Sequence, residues 1–334
     1  MKFRNKTIQF FLISILAILT FFSPTISQAE VQSIKSNDLI VESNNSIKQT
    51  EYLSVEPNGS TKKISKDVYE SAKQIQDAKK IYQQPPQSIT PNDKSALQPN
   101  KQIVIQKKKQ DNKTKQITPA QQENVLALEY LTTFNEFTQS IDLRIKITDI
   151  IGQAPIVVLS NLGVYAGDIY DGAYYRQGYL EVDWQGAQIY PGQTAQKSIN
   201  VSSTKWWVSS YNTTAGWLGS YPKTSSGQTV PTLANKKAVM YPSIYNDHSK
   251  EYMPTPARAN LPKVDNPVPW DNYKRGEYIA QYINTYGNPD WDWSGLDIHH
   301  VIPRIHGGSN SFGNLYPLPR TIHQQKVNPW WAAY

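Results

Sequence analysis

The chain of 334 residues contains no cysteine. That excludes disulfide cross-links and Cys-x-x-Cys zinc knuckles, so its domains stand on packing, on metal bound through other side chains, or on both. Long apolar runs are nearly absent too. Beyond residue 22 no stretch approaches the roughly 20 apolar residues that a membrane-spanning helix requires. Acidic residues are in deficit, 27 against 34 Lys and Arg, which leaves a net charge of +7. A basic balance suits a polyanionic partner such as nucleic acid or an anionic cell surface. Its distribution weakens that inference, because the excess is concentrated in runs such as Lys107-Lys108-Lys109, Lys113 and Lys115. From His248 onward acids and bases nearly cancel.

One short apolar run does occur, Phe10 to Phe22, behind Lys2, Arg4 and Lys6. Pro24 and the small-x-small triplet Ser27-Gln28-Ala29 follow it. This is the layout of a secretory signal peptide over residues 1–29. The expected product is a secreted, extracellular protein beginning near Glu30, with no membrane insertion after cleavage. An uncleaved N-terminal anchor is the alternative.

Residues 30–118 are rich in Gln, Asn, Ser, Lys and Pro and poor in large apolar groups. Such a composition buries too little surface to offset the entropy of ordering, so disorder is expected. One helix is expected within it, Lys66 to Tyr82, with Val68, Ala72, Ile75 and Tyr82 on one side and Pro85-Pro86 as its stop. Residues 119–225 read differently. Ser140 to Thr148 alternates as S-I-D-L-R-I-K-I-T, the signature of a half-buried strand. Pro155–Ser160, Tyr179–Trp184, Ser198–Ser203 and Lys205–Ser210 are further short strands, separated by turn residues such as Gly172, Gly186 and Pro191-Gly192. The expectation is a small all-β, sandwich-like middle domain in an α+β chain. Trp206-Trp207 and the many tyrosines fit either a glycan-binding face or core packing, and packing is the expected role. Residues 226–268, with Pro222 just before them and Pro231, Pro242, Pro254, Pro256, Pro262 and Pro267 within, read as an irregular linker.

The last block, residues 269–334, opens with Asp271 as a helix cap. Ile279, Tyr282, Ile283 and Tyr286 then follow the i, i+3, i+4, i+7 pattern, and Gly287 and Pro289 end the helix. Four of the five histidines come after residue 298. They stand in Asp297-Ile298-His299-His300-Val301-Ile302-Pro303-Arg304, then Gly307-Gly308-Ser309-Asn310, then Asn314-Leu315-Tyr316-Pro317-Leu318, then His323. The pattern reads as a strand, a glycine turn, a second strand and a helix beginning at Pro319. His323, one turn into that helix, can return to the His299-His300 pair.

These residues resemble the HNH, or ββα-metal, endonuclease motif, with the double histidine similar to that of nuclease colicins and of domains ending many secreted bacterial toxins. The resemblance covers about residues 270–334. It implies that His300 is the general base, that His299 and His323 bind one divalent ion (Zn, Mg or Mn), and that Asn314 either orients the base or approaches the metal, orientation being preferred because Asn is a weak ligand beside two imidazoles. The chain departs from the colicin pattern at Val327, where a third histidine would stand, so water and phosphate would complete the metal shell. A histidine base suits the chemistry because imidazole titrates near neutrality. A cation suits it by neutralising charge on the phosphate. Arg304, Arg320 and Lys326 are the expected phosphate contacts. His306 and His248 are not expected to be ligands.

The implied function is a secreted endonuclease of low sequence specificity, favouring DNA over RNA, toxin-like or scavenging. A toxin would require an acidic immunity protein. The alternative is a cell-surface or glycan-binding protein ending in an inactive HNH-like unit.

Overall fold

The computed structural model describes residues 39–42, 45–56, 58–83 and 124–334. The expected signal peptide at 1–29 lies outside the described residues, as do Pro85-Pro86 and the lysine runs near 107–115. Among the described residues no helix is long and apolar enough to cross a membrane.

Strands and a few helices make up the fold, with strands dominant. The strands, in chain order, are β1 (Leu39–Glu42), β2 (Ser46–Val55), β3 (Thr61–Ile64), β4 (Val125–Asn135), β5 (Ser140–Ile151), β6 (Val157–Gly167), β7 (Tyr175–Gln185), β8 (Thr194–Asn200), β9 (Lys205–Gly216), β10 (Thr224–Gln228), β11 (Thr232–Ala234), β12 (Ser243–Asn246), β13 (Glu251–Tyr252), β14 (Leu296–His300) and β15 (Leu315–Pro319). Helix α1 spans Lys66–Gln83 and α2 spans Asn272–Tyr286. A C-terminal helix, α3, covers residues 320–332.

Two antiparallel sheets form the middle of the molecule. One runs β3-β2-β4-β5-β8 and the other β10-β9-β6-β7, with β11 also on β9. The alternation read in β5 is what joins them: Ile141, Leu143, Ile145 and Ile147 are each fully buried. They meet Leu162, Val164, Val182, Trp184 and Trp207 of the facing sheet in one apolar core. This is sheet-on-sheet packing, in which inward residues of both layers interdigitate. Trp206 and Trp207 are both buried, as expected for a packing role, whereas Tyr170, Tyr175, Tyr179 and Tyr190 are exposed.

Two expectations are corrected here. The first is disorder from residue 30. Residues 46–64 form β2 and β3, and β2 pairs with β4 from Ser46↔Thr133 to Ser54↔Val125. Its first half is polar and largely exposed, and Leu53 is its apolar anchor. The strand owes its order to a backbone ladder with a partner far along the chain, which local composition does not register. Helix α1 forms where expected, and of its expected inward side Ala72 does pack against the sheet. Tyr69 is buried over Ile64, Val125, Ala127 and Ile151, and its hydroxyl donates to Asp149 at 2.7 Å. Val68 and Ile75 are exposed.

The second correction concerns residues 226–268, which are no free linker. Leu233, Tyr241, Ile244, Met253 and Ala259 share a buried cluster with Val301, Tyr316, Leu318, Ile322, Val327 and Trp330 of the C-terminal block. Two fully buried asparagines fix this irregular path. Asn235 accepts from the Lys237 and Val239 N–H groups and donates to the Trp330 carbonyl at 3.1 Å. Asn246 accepts from the His248 and Ser249 N–H groups and donates to the Tyr282 hydroxyl at 3.0 Å. Each amide thus closes a turn and ties it to the C-terminal unit, as buried backbone outside regular structure requires.

A fragment of residues 225–334 is therefore expected to fold, whereas 269–334 is not. The shorter piece loses Leu233, Tyr241, Ile244 and Met253. Each such loss costs about 2–5 kcal/mol, against a total stability of about 5–15 kcal/mol. Circular-dichroism melting distinguishes them, and a cooperative transition in 269–334 would refute the expectation.

Candidate functional site

The C-terminal unit is built around the β14–β15 hairpin, paired from Leu296↔Pro319 to His300↔Leu315. Helix α2 packs on one side. Asp271 caps it by accepting from the Lys274 N–H, and Gly287 closes it with φ +88°. Tyr278 and Tyr282 are its most buried residues, against Ile298 and Leu315. Helix α3 leaves β15 directly, and its residues His323–Val327 form a π turn between two α segments. Such turns change the phase of side chains along a helix. Val327 is fully buried with Trp330, in the core and away from the histidines.

A cleft of about 710 Å³ lies between the hairpin, α3 and the segment before α2. His299, His300 and His323 all line it. The alternation of β14 divides the histidines between two faces. Asp297 and His299 turn toward α3, where Nδ1 of His299 lies 3.2 Å from Nε2 of His323. Nδ1 of His323 donates to Oδ2 of Asp297 at 2.9 Å, and Arg320 holds the other carboxylate oxygen at 3.2 Å. Ile298 and His300 turn the other way. The His300 ring meets Trp270 edge-on at 4.8 Å, and its Nε2 lies 2.8 Å from Oδ1 of Asn310.

Burial sets the charge state of these groups. His299 is 5% exposed. Its burial, followed by the charges of His323 and His300, pushes its pKa down to about 3. Burial also lowers that of His300, opposed by the Asn310 hydrogen bond. Both rings are therefore neutral at neutral pH, each with one protonated and one bare nitrogen. Burial raises the Asp297 carboxyl, but its bonds from His323 and Arg320 prevail and hold it below the usual carboxylate range.

Could the pair hold a cation? Two imidazole nitrogens at the usual bond length from one tetrahedral zinc stand about 3.3 Å apart. The observed 3.2 Å fits. So does the carboxylate behind His323, the partner that metal-ligating histidines favour. Nε2 of His299 is buried without a hydrogen-bond partner among the described residues. No group of three or more His, Cys, Asp or Glu side chains converges as a metal site among them either. Remaining ligands would come from water and substrate.

The other expected site residues are placed as follows. Asn314 does not reach His300. Its amide accepts from the Ile302 N–H at 2.8 Å and donates to the Ile302 and Ser309 carbonyls, locking the loop between the strands. The His300 ring hydrogen-bonds Asn310 instead, because the glycine turn carries that residue back over the strand end. Arg304 lines the cleft with its guanidinium donating to the Val268 carbonyl. Arg320 lines it in its ion pair with Asp297. Lys326 is exposed and does not line it. His306 faces the Leu261 carbonyl, and His248 packs against Tyr282 and Trp291, so neither joins the histidine cluster.

Sequence reasoning missed four contributors: Asp297, Asn310, Trp270 and Arg275. Asp297 was within reach, since residues two apart on a strand share a face with His299. Arg275 reaches the cleft from α2, donating to the Trp293 and Leu296 carbonyls, and nothing in the local pattern marks it.

The loop tolerates no side chain at Gly308. A Cβ there would sit 1.7 Å from the Ile302 carbonyl oxygen. Gly308→Ala is expected to cost about 1–3 kcal/mol and to lower the melting temperature. An unchanged melt would mean that the loop shifts freely.

No family model, no curated protein and no solved structure matches this chain.

Proposed function

We propose that this chain is an exported, metal-dependent endonuclease of the HNH class that hydrolyses phosphodiester bonds in nucleic acid, DNA in preference to RNA. The observation that carries the reading is the His299–His323 nitrogen pair at 3.2 Å, backed by Asp297 and sharing one cleft with a neutral His300. A bound divalent cation would supply charge neutralisation at the phosphate and its leaving oxygen. His299 and His323 would hold that ion, and Asp297 would keep the proton on the far nitrogen of His323. His300 would accept a proton from the attacking water. Arg275, Arg304 and Arg320 supply the positive lining that positions a phosphate. A toxin-like role with an acidic inhibitor, or a scavenging one, is compatible with the same chemistry.

The direct test is incubation of the full chain with supercoiled plasmid and with single-stranded RNA, in Zn, Mg or Mn and then in chelator. Nicked and linear DNA with metal, and intact plasmid with chelator, are expected. No cleavage of either substrate with any of the three ions would overturn the reading.

Phosphate contacts carry little sequence information. Cleavage ends mapped on random-sequence DNA should therefore scatter. Binding of duplex DNA by residues 225–334 should depend weakly on salt, with a log–log slope of roughly 2 to 4, since each neutralised phosphate contributes about 0.9. A much steeper slope would reveal a second basic surface.

A further inference from the structure

His300 has two ring nitrogens, and only one is committed. Nε2 faces Oδ1 of Asn310 at 2.8 Å. The other end of that amide fixes its orientation, because Nδ2 of Asn310 donates to the Pro269 carbonyl at 2.9 Å. A proline carbonyl only accepts, so the amino group must face Pro269 and the oxygen must face His300. An amide oxygen in turn only accepts. In neutral His300 the proton therefore sits on Nε2, and Nδ1 carries the lone pair. Among the described residues Nδ1 has no hydrogen-bond partner, and it is not among the atoms sealed from solvent without one. Trp270, next in sequence to Pro269, braces the ring edge-on. One dipeptide thus anchors both the amide and the imidazole.

We infer that Asn310 is the positioning residue for His300, holding it in the orientation and tautomer whose Nδ1 faces the cleft to take the proton from water. The inference rests on the nuclease reading and deepens it. As the water oxygen forms its bond to phosphorus, the broken O–H bond leaves its electron pair on that oxygen and its proton on Nδ1. The leaving oxygen departs with the electrons of its own bond to phosphorus and takes a proton from solvent. His300 becomes an imidazolium whose Nε2–H still points at Oδ1 of Asn310. That hydrogen bond strengthens as the ring gains charge, so the amide serves the reaction more than the resting state.

The experiment compares Asn310→Ala and Asn310→Asp with the wild type in the full chain. Steady-state cleavage of a short duplex is measured alongside 15N spectra of the imidazoles at pH 7.5 without metal. Asn310→Ala should lower kcat by about 10- to 100-fold, up to the ~10² that misplacing a reacting group costs, with KM within twofold. Asn310→Asp should restore most of that loss. It keeps an oxygen for Nε2, although it can no longer donate to Pro269. A role confined to holding the loop predicts the reverse, with Asp as damaging as Ala. Wild-type His300 should show a protonated Nε2 and a bare Nδ1, a distinction blurred in Asn310→Ala. Unchanged kcat in Asn310→Ala, no rescue by Asp, or a wild-type proton on Nδ1 would each overturn the assignment. If the wild type cuts nothing, the nuclease reading fails while the nitrogen spectra still decide whether Asn310 sets the tautomer.

Discussion

Replacing His300 by alanine is expected to lower phosphodiester cleavage by about 10² to 10⁴-fold, the range over which general bases contribute, while metal affinity and fold are retained. The separation of effects follows from the faces of β14. His300 shares a face with Ile298, against Trp270 and Asn310, whereas the nitrogen pair forms on the face of Asp297 and His299. Removing the His300 ring opens space beside a cleft that water already reaches, so the cavity cost is smaller than in a closed core. Plasmid nicking, titration calorimetry with metal and a thermal melt read the three quantities independently. Cleavage within a few-fold of wild type would remove His300 from the role of base.

His299→Ala and His323→Ala are expected to act on metal and activity together. Each removes one of two protein nitrogens, so affinity should fall by at least the 10- to 100-fold that losing even an outer partner costs, and cleavage should fall with it. The two variants should differ in stability. The His299 side chain is almost wholly buried, while that of His323 is 20% exposed. Asp297→Asn should produce a milder loss in the same direction, since it leaves the nitrogens in place and weakens only the group that orients His323. Titration calorimetry on metal-free protein checks all three, and unchanged affinity in either histidine variant would exclude that ring as a ligand.

Sequence alone determined those parts of the fold whose information is local. The strict alternation Ile141, Leu143, Ile145, Ile147 has one burial solution, and β5 adopts it with all four side chains enclosed. Asp271 and Gly287 bracket α2 because a cap and a left-handed terminator act within a few residues of where they stand. The strand–turn–strand–helix order that brings His323 to His299 was likewise readable, since each piece follows from its own turn or periodicity.

Tertiary structure alone decided what depends on a distant partner. Strand β2 is too polar to be read as ordered until β4 supplies its ladder. The proline-rich stretch before Trp270 looks like a linker until Asn235 and Asn246 are seen donating to Trp330 and Tyr282. Helix α1 turns Tyr69 and Ala72 to the sheet while Val68 and Ile75 stay exposed, and Tyr69 bonds to Asp149, 80 residues away. Asn310 and Asn314 are chemically identical and four residues apart. Only the path of the glycine turn, pressed against the Ile302 carbonyl at Gly308, gives one of them the imidazole and the other the loop. Periodicity and capping are encoded within a turn of chain, whereas the choice among equivalent donors is made by whichever backbone group the folded chain brings within 3 Å.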